Sequence, residues 1–220
     1  MSTRPYNLLV FDWDGTVVDS ESRIVGSLLA SIADLGLPER SEDEAKNIIG
    51  LGLREAVETL YPGSSETLHR DLVERYRHHF LVENSESSSL FPGALELLES
   101  LNDAGYLLAV ATGKGRSGLE RELNETGLAS QFVTTRCADE SFSKPHPQML
   151  EYIMAFTGSE PEETLMIGDT EYDMKMACNA STHAVGVSYG VHEVERLHKH
   201  NPVGIIDALT ELQPWLLSRL

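Results

Sequence analysis

The sequence predicts an α/β fold: a doubly wound parallel sheet interrupted after its first strand by an all-helical unit. Three observations predict it. Residues 8–11, "LLVF", form a short apolar run with no polar alternation, as expected of a strand buried on both faces. From Gly105 onward, strand-like and helix-like segments alternate, the pattern of βαβ units and a sheet covered by helices on both sides. Between these, from Ser20 to about Ser89, the periodicity is helical and no strand candidate intervenes.

The elements follow in order. "RIVGSLLASIADLGL" carries apolar residues at three-four spacing and stops at Gly36, with Pro38 just beyond. "SEDEAKNIIGLGLREAVETLYPG" opens with a capping-box pattern, Ser41 followed by Glu44, and contains the turn "IGLGLRE". "SSETLHRDLVERYRHHFLVEN" is a further amphipathic helix, and the polar "ENSESSS" reads as a joint. Then come a strand "GYLLAVAT", a helix "SGLERELNETGL" closing at Gly127, and a short strand "FVTT". A helix "PHPQMLEYIMAFTG" with Pro in its first turn is followed by a strand "TLMIGD" and a helix "TEYDMKMACNA". A strand "HAVGVS", a short strand "GIID" and a closing helix "ALTELQPWLLSRL" complete the chain.

Composition narrows the function. A 41% hydrophobic content over 220 residues supports a real core and excludes disorder. The net charge of −18 repels phosphate backbones, so no nucleic-acid partner is expected, and an anionic small substrate needs a local cationic pocket. Cys137 and Cys178 lie in no metal-type spacing and read as reduced thiols. The histidines of "VHEVERLHKH" read as a solvated helix face, because no partner Cys or HExxH pattern accompanies them. No signal peptide and no membrane-length apolar segment is visible, so a soluble cytoplasmic protein, monomer or homodimer, is expected.

Ligands of doubly wound sheets bind at the carboxyl ends of the strands. There the sequence delivers Asp12, Trp13 and Asp14 after the first strand, and Thr112, Gly113 and Lys114 after "YLLAVA". Gly168, Asp169 and Thr170 follow "TLMI", and Lys144 precedes the Pro-rich helix start. Each alone has an ordinary reading: Thr112 as a helix cap, Lys144 as a surface lysine, Asp169 with Asp173 as a helix start. Together at one sheet edge they suit metal-assisted phosphoryl transfer. Mg²⁺ takes carboxylate and phosphate oxygens and would neutralise the acidic pair, while a carboxylate can itself serve as nucleophile.

The ordered motifs "DWDGT", "VATG", "SKPHP" and "GDTEYDM" resemble those of the haloacid dehalogenase superfamily of phosphatases, with a Rossmann-like core. The helical insert resembles the C1-type cap of the phosphoglycolate phosphatase and β-phosphoglucomutase branch. The resemblance implies a core of residues 1–17 and 90–220 and a cap of residues 18–89. It implies Asp12 as nucleophile and Asp14 as the acid that protonates the leaving alcohol and then the base that activates water. Thr112, Gly113, Lys114 and the N–H groups of Trp13 and Asp14 would hold the phosphoryl group, and Lys144 would stabilise nucleophile and phosphate. Mg²⁺ would be held by Asp12, the Asp14 main-chain carbonyl and Asp169, with Asp173 orienting the set.

The sequence departs from the family pattern at Val17 and Val18, where Leu is more usual, and in "ACNAST", which lacks a common glycine. Trp13 also occurs in the phosphonate-cleaving branch, but that branch lacks the second Asp of the motif, which is present here as Asp14. The implied substrate is a small phosphorylated metabolite, phosphoglycolate being the familiar one. A phosphosugar mutase or a pyrophosphatase would share the fold, and a receiver-like signalling module is a remote alternative. Hinges are expected at residues 17–20 and 85–89. Arg54, after the Gly50–Gly52 turn, is the candidate cap cation for a carboxylated substrate, with Lys46 second.

Overall fold

The computed structural model describes residues 4–83 and 88–219. Its main sheet has six strands, all parallel: β1 (Leu8–Phe11), β4 (Leu107–Thr112), β5 (Thr134–Cys137), β6 (Thr164–Gly168), β7 (His183–Val187) and β8 (Gly204–Ile206), in the order β5-β4-β1-β6-β7-β8. The first strand therefore lies in the interior, between β4 and β6. Chain order runs outward from it in both directions, which makes the carboxyl end of β1 the topological switch point.

Side-chain alternation along β1 builds two cores. Leu9 and Phe11 join Leu108, Val110, Leu165 and Ile167 on one face. There the sheet packs on helices α5 (Ala94–Asp103), α6 (Arg116–Thr126) and α10 (Leu212–Leu217). Leu8 and Val10 point the other way, with Ala109, Ala111 and Met166, onto α7 (Gln148–Thr157) and α8 (Glu171–Asn179). A short helix, α9 (Val194–His198), precedes β8. Burial on both faces explains why the strands read as unbroken apolar runs.

A third core lies in the insert. Helices α1 (Glu21–Asp34), α2 (Glu42–Asn47), α3 (Leu53–Leu60) and α4 (Glu66–His78) enclose Ile24, Leu28, Ile32, Ala45, Val57, Leu60 and Leu72. The Ser41–Glu44 capping box is formed. At the root of the insert, two short strands pair antiparallel: β2 (Val18–Asp19) with β3 (Ser89–Leu90). Residues 84–87 of the expected Ser-rich hinge lie outside the described residues.

Four local features differ from the sequence reading. The segment around the "IGLGLRE" turn separates two helices, α2 and α3. Helix α4 continues as a π-helical turn, His79–Glu83. Helix α5 was not read, although Ala94, Leu97, Leu98 and Leu101 form its buried stripe. The strand expected at "FVTT" is shifted two residues on, because Thr134–Cys137 is the run whose register matches Ala109–Thr112.

Candidate active site

The switch point gathers the predicted residues. The chain leaves β1 at Asp12, whose side chain is buried. Its Oδ1 accepts the Trp13 N–H at 2.6 Å and lies 2.7 Å from Lys144 Nζ. Lys144 reaches in from the segment before α7 and also meets Asp173 Oδ1 at 2.6 Å. Asp173 belongs to a capping box with Thr170 at the start of α8, so its ordinary and functional readings coexist: Oδ2 takes the Thr170 hydroxyl at 2.6 Å while Oδ1 faces Lys144. Asp169, at the end of β6, accepts the Thr16 hydroxyl at 2.9 Å and the Val191 N–H at 2.9 Å. The turn after β1 needs Gly15. Its φ is +80°, and a Cβ there would stand 2.2 Å from Asp169 Oδ2.

Asp12, Asp169 and Asp173 are buried, and one carboxylate oxygen of each lies within 4.8 Å of the others. Burial, then the Asp173 charge, hold the Asp12 carboxyl well above its ordinary range against the opposing pull of Lys144. Burial and Asp173 push Asp169 up to about 7. Burial works against the Lys144 charge, but Asp12 and Asp173 outweigh it and hold the ammonium above its ordinary value. One lysine faces three carboxylates, so the cluster is short of positive charge. Asp12 Oδ2, buried, has no hydrogen-bond partner among the described residues. An orphaned oxygen in an all-oxygen donor set with a charge deficit fits a hard divalent cation such as Mg²⁺.

The Asp14 carboxylate turns away from this cluster. It accepts the Ser20 hydroxyl at 2.7 Å and lies 3.2 Å from Lys114 Nζ. Its side chain is thus no member of the metal-capable set; only its main chain was expected to be. Lys114 meets Glu122 Oε1 at 3.2 Å and sits 4.6 Å over the Phe80 ring of the insert. Glu122 Oε2 accepts the Trp13 indole N–H at 2.6 Å. Burial opposes the Lys114 charge, yet Asp14 and Glu122 together keep its pKa raised. Sequence reasoning missed Glu122. Its signal was a charge on the same face of α6 as Leu119 and Leu123, which are buried with it.

Thr112 ends β4, buried, and its hydroxyl accepts the Lys114 N–H at 3.1 Å. Next to it, Gly113 lies under the insert: a Cβ there would stand 2.5 Å from the Gly50 carbonyl oxygen and 2.6 Å from that of Leu51. The same loop donates the Gly52 N–H to Ser143 Oγ at 2.7 Å, and its Asn47 carbonyl accepts the Tyr172 hydroxyl at 2.8 Å. Ser143, next to Lys144, is a second residue that sequence reasoning missed. Between insert and sheet lies a cavity of about 110 Å³ lined by Asp12, Asp14, Thr112, Gly113 and Lys114 below and by the insert above.

Arg54 is not brought to this site. On α3, Leu53, Ala56, Val57 and Leu60 face the cavity at helical spacing. Arg54 falls off that stripe, with 68% of its side chain exposed, and pairs with Glu66 at 2.5 Å. The expectation of a cap cation at Arg54 is thereby corrected. Lys46 likewise pairs outside, with Glu21 at 2.7 Å. His192 is not a solvated residue either; it is buried, edge-on to Tyr172.

Fold and site together define a Rossmann-like α/β protein with a buried acidic site at the carboxyl ends of its parallel strands and a helical insert above. The chain belongs to the haloacid dehalogenase-like hydrolase family, whose model matches residues 9–187. It is 34% identical over 210 residues to the "Probable phosphatase IndB" of Dickeya dadantii, covering 93% of this chain and 91% of that one. It is 31% identical over 226 residues to a phosphoglycolate phosphatase of Agrobacterium fabrum, covering 100% and 97%. The crystal structure described as a predicted phosphoglycolate phosphatase from Haemophilus somnus superposes with a TM-score of 0.83 at 25% identity, over 97% of this chain and 99% of that one. Among the described residues, no helix is long and apolar enough to cross a membrane.

Proposed function

We propose that the protein is a Mg²⁺-dependent phosphatase that hydrolyses a small phosphate monoester through an aspartyl phosphate on Asp12. The observation that carries this reading is the unpartnered, buried Oδ2 of Asp12, beside Lys144, on a residue that lines the cavity at the carboxyl ends of β1 and β4. Residues 18–89 act as the cap and residues 1–17 and 90–220 as the core.

Asp12 attacks phosphorus; an Asp–O–P bond forms and the ester P–O bond breaks. Asp14, at the cavity floor, gives its proton to the departing alkoxide. Its carboxylate then takes a proton from water as that water attacks phosphorus, the Asp–O–P bond breaks, and inorganic phosphate leaves with Asp12 restored. Lys144 holds Asp12 in place and offsets the charge of the phosphoryl group. Thr112, Gly113 and the N–H groups of Trp13 and Asp14 orient the phosphoryl oxygens, and Lys114 adds positive charge between them and Asp14. Asp12, Asp169 and the Asp14 main-chain carbonyl would hold Mg²⁺, with Asp173 steadying Lys144. When bound, the ion supplies the positive charge that this carboxylate cluster lacks.

The test is phosphate release from a panel of phosphorylated metabolites. Asp12→Asn should lower it by about a hundredfold or more, because an amide forms no phosphoenzyme and uncatalysed hydrolysis of phosphate monoesters is very slow. A variant that retains a tenth or more of the activity, roughly the loss expected of a mere positioning residue, would remove Asp12 from the mechanism.

A further inference from the structure

We propose that the organic group of the substrate is uncharged and largely apolar. This rests on the phosphatase reading and deepens it. The cavity above Asp12 and Asp14 has a charged floor and an apolar roof. Ile48, Leu53, Val57, Leu72 and Phe80 of the insert line it. Its size, about 110 Å³, approaches that of hollows of about 150 Å³ lined by Leu, Ile and Phe that take up benzene. A small ring or a branched alkyl group fits such a space.

The buried cations within reach are already committed. Lys144 is bracketed by Asp12 and Asp173, and Lys114 by Asp14 and Glu122. Arg54 and Lys46 pair elsewhere, with Glu66 and Glu21. Arg77 borders the cavity but is exposed, at its solvent side. A substrate carboxylate entering the roof would give up its water for aliphatic carbon, close to the Asp14 carboxylate, and gain no buried cation. The Tyr76 hydroxyl of α4 also belongs to a residue lining the cavity. Burial holds its pKa above the ordinary value, so it is a neutral O–H. It suits a single uncharged polar atom on the substrate.

The experiment compares kcat/KM for benzyl phosphate and for 2-phosphoglycolate, both alkyl esters, with purified protein and Mg²⁺. The expected result is a preference for benzyl phosphate of about tenfold or more, the scale on which an apolar pocket discriminates. Equal values, or a preference for 2-phosphoglycolate, overturn the proposal. In Leu53→Arg, which puts a cation on the half-buried rim of the roof, the ratio should move toward 2-phosphoglycolate by about tenfold. An unmoved ratio also overturns it. If the wild-type protein leaves benzyl phosphate intact, the apolar roof fails; if Asp12→Asn hydrolyses both esters, the phosphatase reading itself fails; a reversed preference with Asp12→Asn inactive fails the apolar roof alone.

Discussion

Asp12 and Glu122 are both buried carboxylates, and their partners set them different tasks. Asp12 keeps one oxygen without a partner, while both oxygens of Glu122 are engaged, by the Trp13 indole and by Lys114. Glu122 therefore reads as a positioning residue for Lys114. Glu122→Gln still accepts the indole N–H but loses the charge beside the ammonium. It should lower kcat about tenfold with the fold retained, the loss of one charge-assisted contact; a kcat unchanged beside a lowered melting temperature would make Glu122 purely structural. Arg54→Ala should leave kcat/KM within about twofold, since an exposed ion pair contributes little. Asp12 was legible because a doubled Asp after an apolar run is an unusual pattern. Glu122 was hidden because its two partners, Lys114 eight positions back and the Trp13 indole more than a hundred back, meet at it only in the folded chain, and Arg54 misled because a helix can turn a well-placed cation outward.

At the scale of elements, the loop between α2 and α3 is what brings the insert down on the sheet. Gly113→Ala tests that contact. The added Cβ meets backbone carbonyls, which cannot swing aside as a side chain can, so the loop must lift. Activity should fall about tenfold or more, as expected when a small displacement disturbs a closed site, while the circular dichroism spectrum stays that of the wild type. An unaffected activity would mean that catalysis does not need this contact. The loop's other support includes Tyr172, which His192 meets edge-on. Burial, and Arg196 after it, push His192 down to about 4, with Glu171 opposing. The neutral ring accepts the Glu171 N–H. The unfolded chain takes up this proton near the ordinary value of about 6.5 and the folded one only near 4, so between these pH values the unfolded state holds more protons. Stability should fall as pH drops from about 6.5 to 4, by at most about 3 kcal/mol from this residue. Urea unfolding of His192→Gln should show a shallower loss over that window; an identical slope would exclude His192. The capping box was legible from Ser41 and Glu44. The register of β5 was not, because pairing with β4 decides it and no local pattern reports that.

Across the whole molecule, the alternation of strands and helices foretold the parallel sheet and the insert after β1, because burial on both faces and helical periodicity leave strong marks in sequence. What the sequence could not convey is which cations remain available once the chain has folded. In a protein of net charge −18, the lysines at the site are surrounded by carboxylates of the chain itself, and charge neutralisation is left to an ion and a phosphoryl group. A chelator should therefore abolish phosphate release and Mg²⁺ should restore it; Ca²⁺, with its larger and looser shell, should restore far less. Full activity in chelator would contradict the acidic cluster as a metal site. A mutase would share the first half of the reaction but return the phosphoryl group to an organic acceptor, so the appearance of one inorganic phosphate per substrate consumed separates the two.

The central claim is a covalent bond between Asp12 and the phosphoryl group, and peptide mass spectrometry after a rapid acid quench of a turning-over mixture tests it most directly. The expected result is the mass of one phosphoryl group on the peptide that carries Asp12, absent from Asp12→Asn and lost when the reaction runs to completion. A phosphoryl group carried by a different residue during turnover would contradict the account.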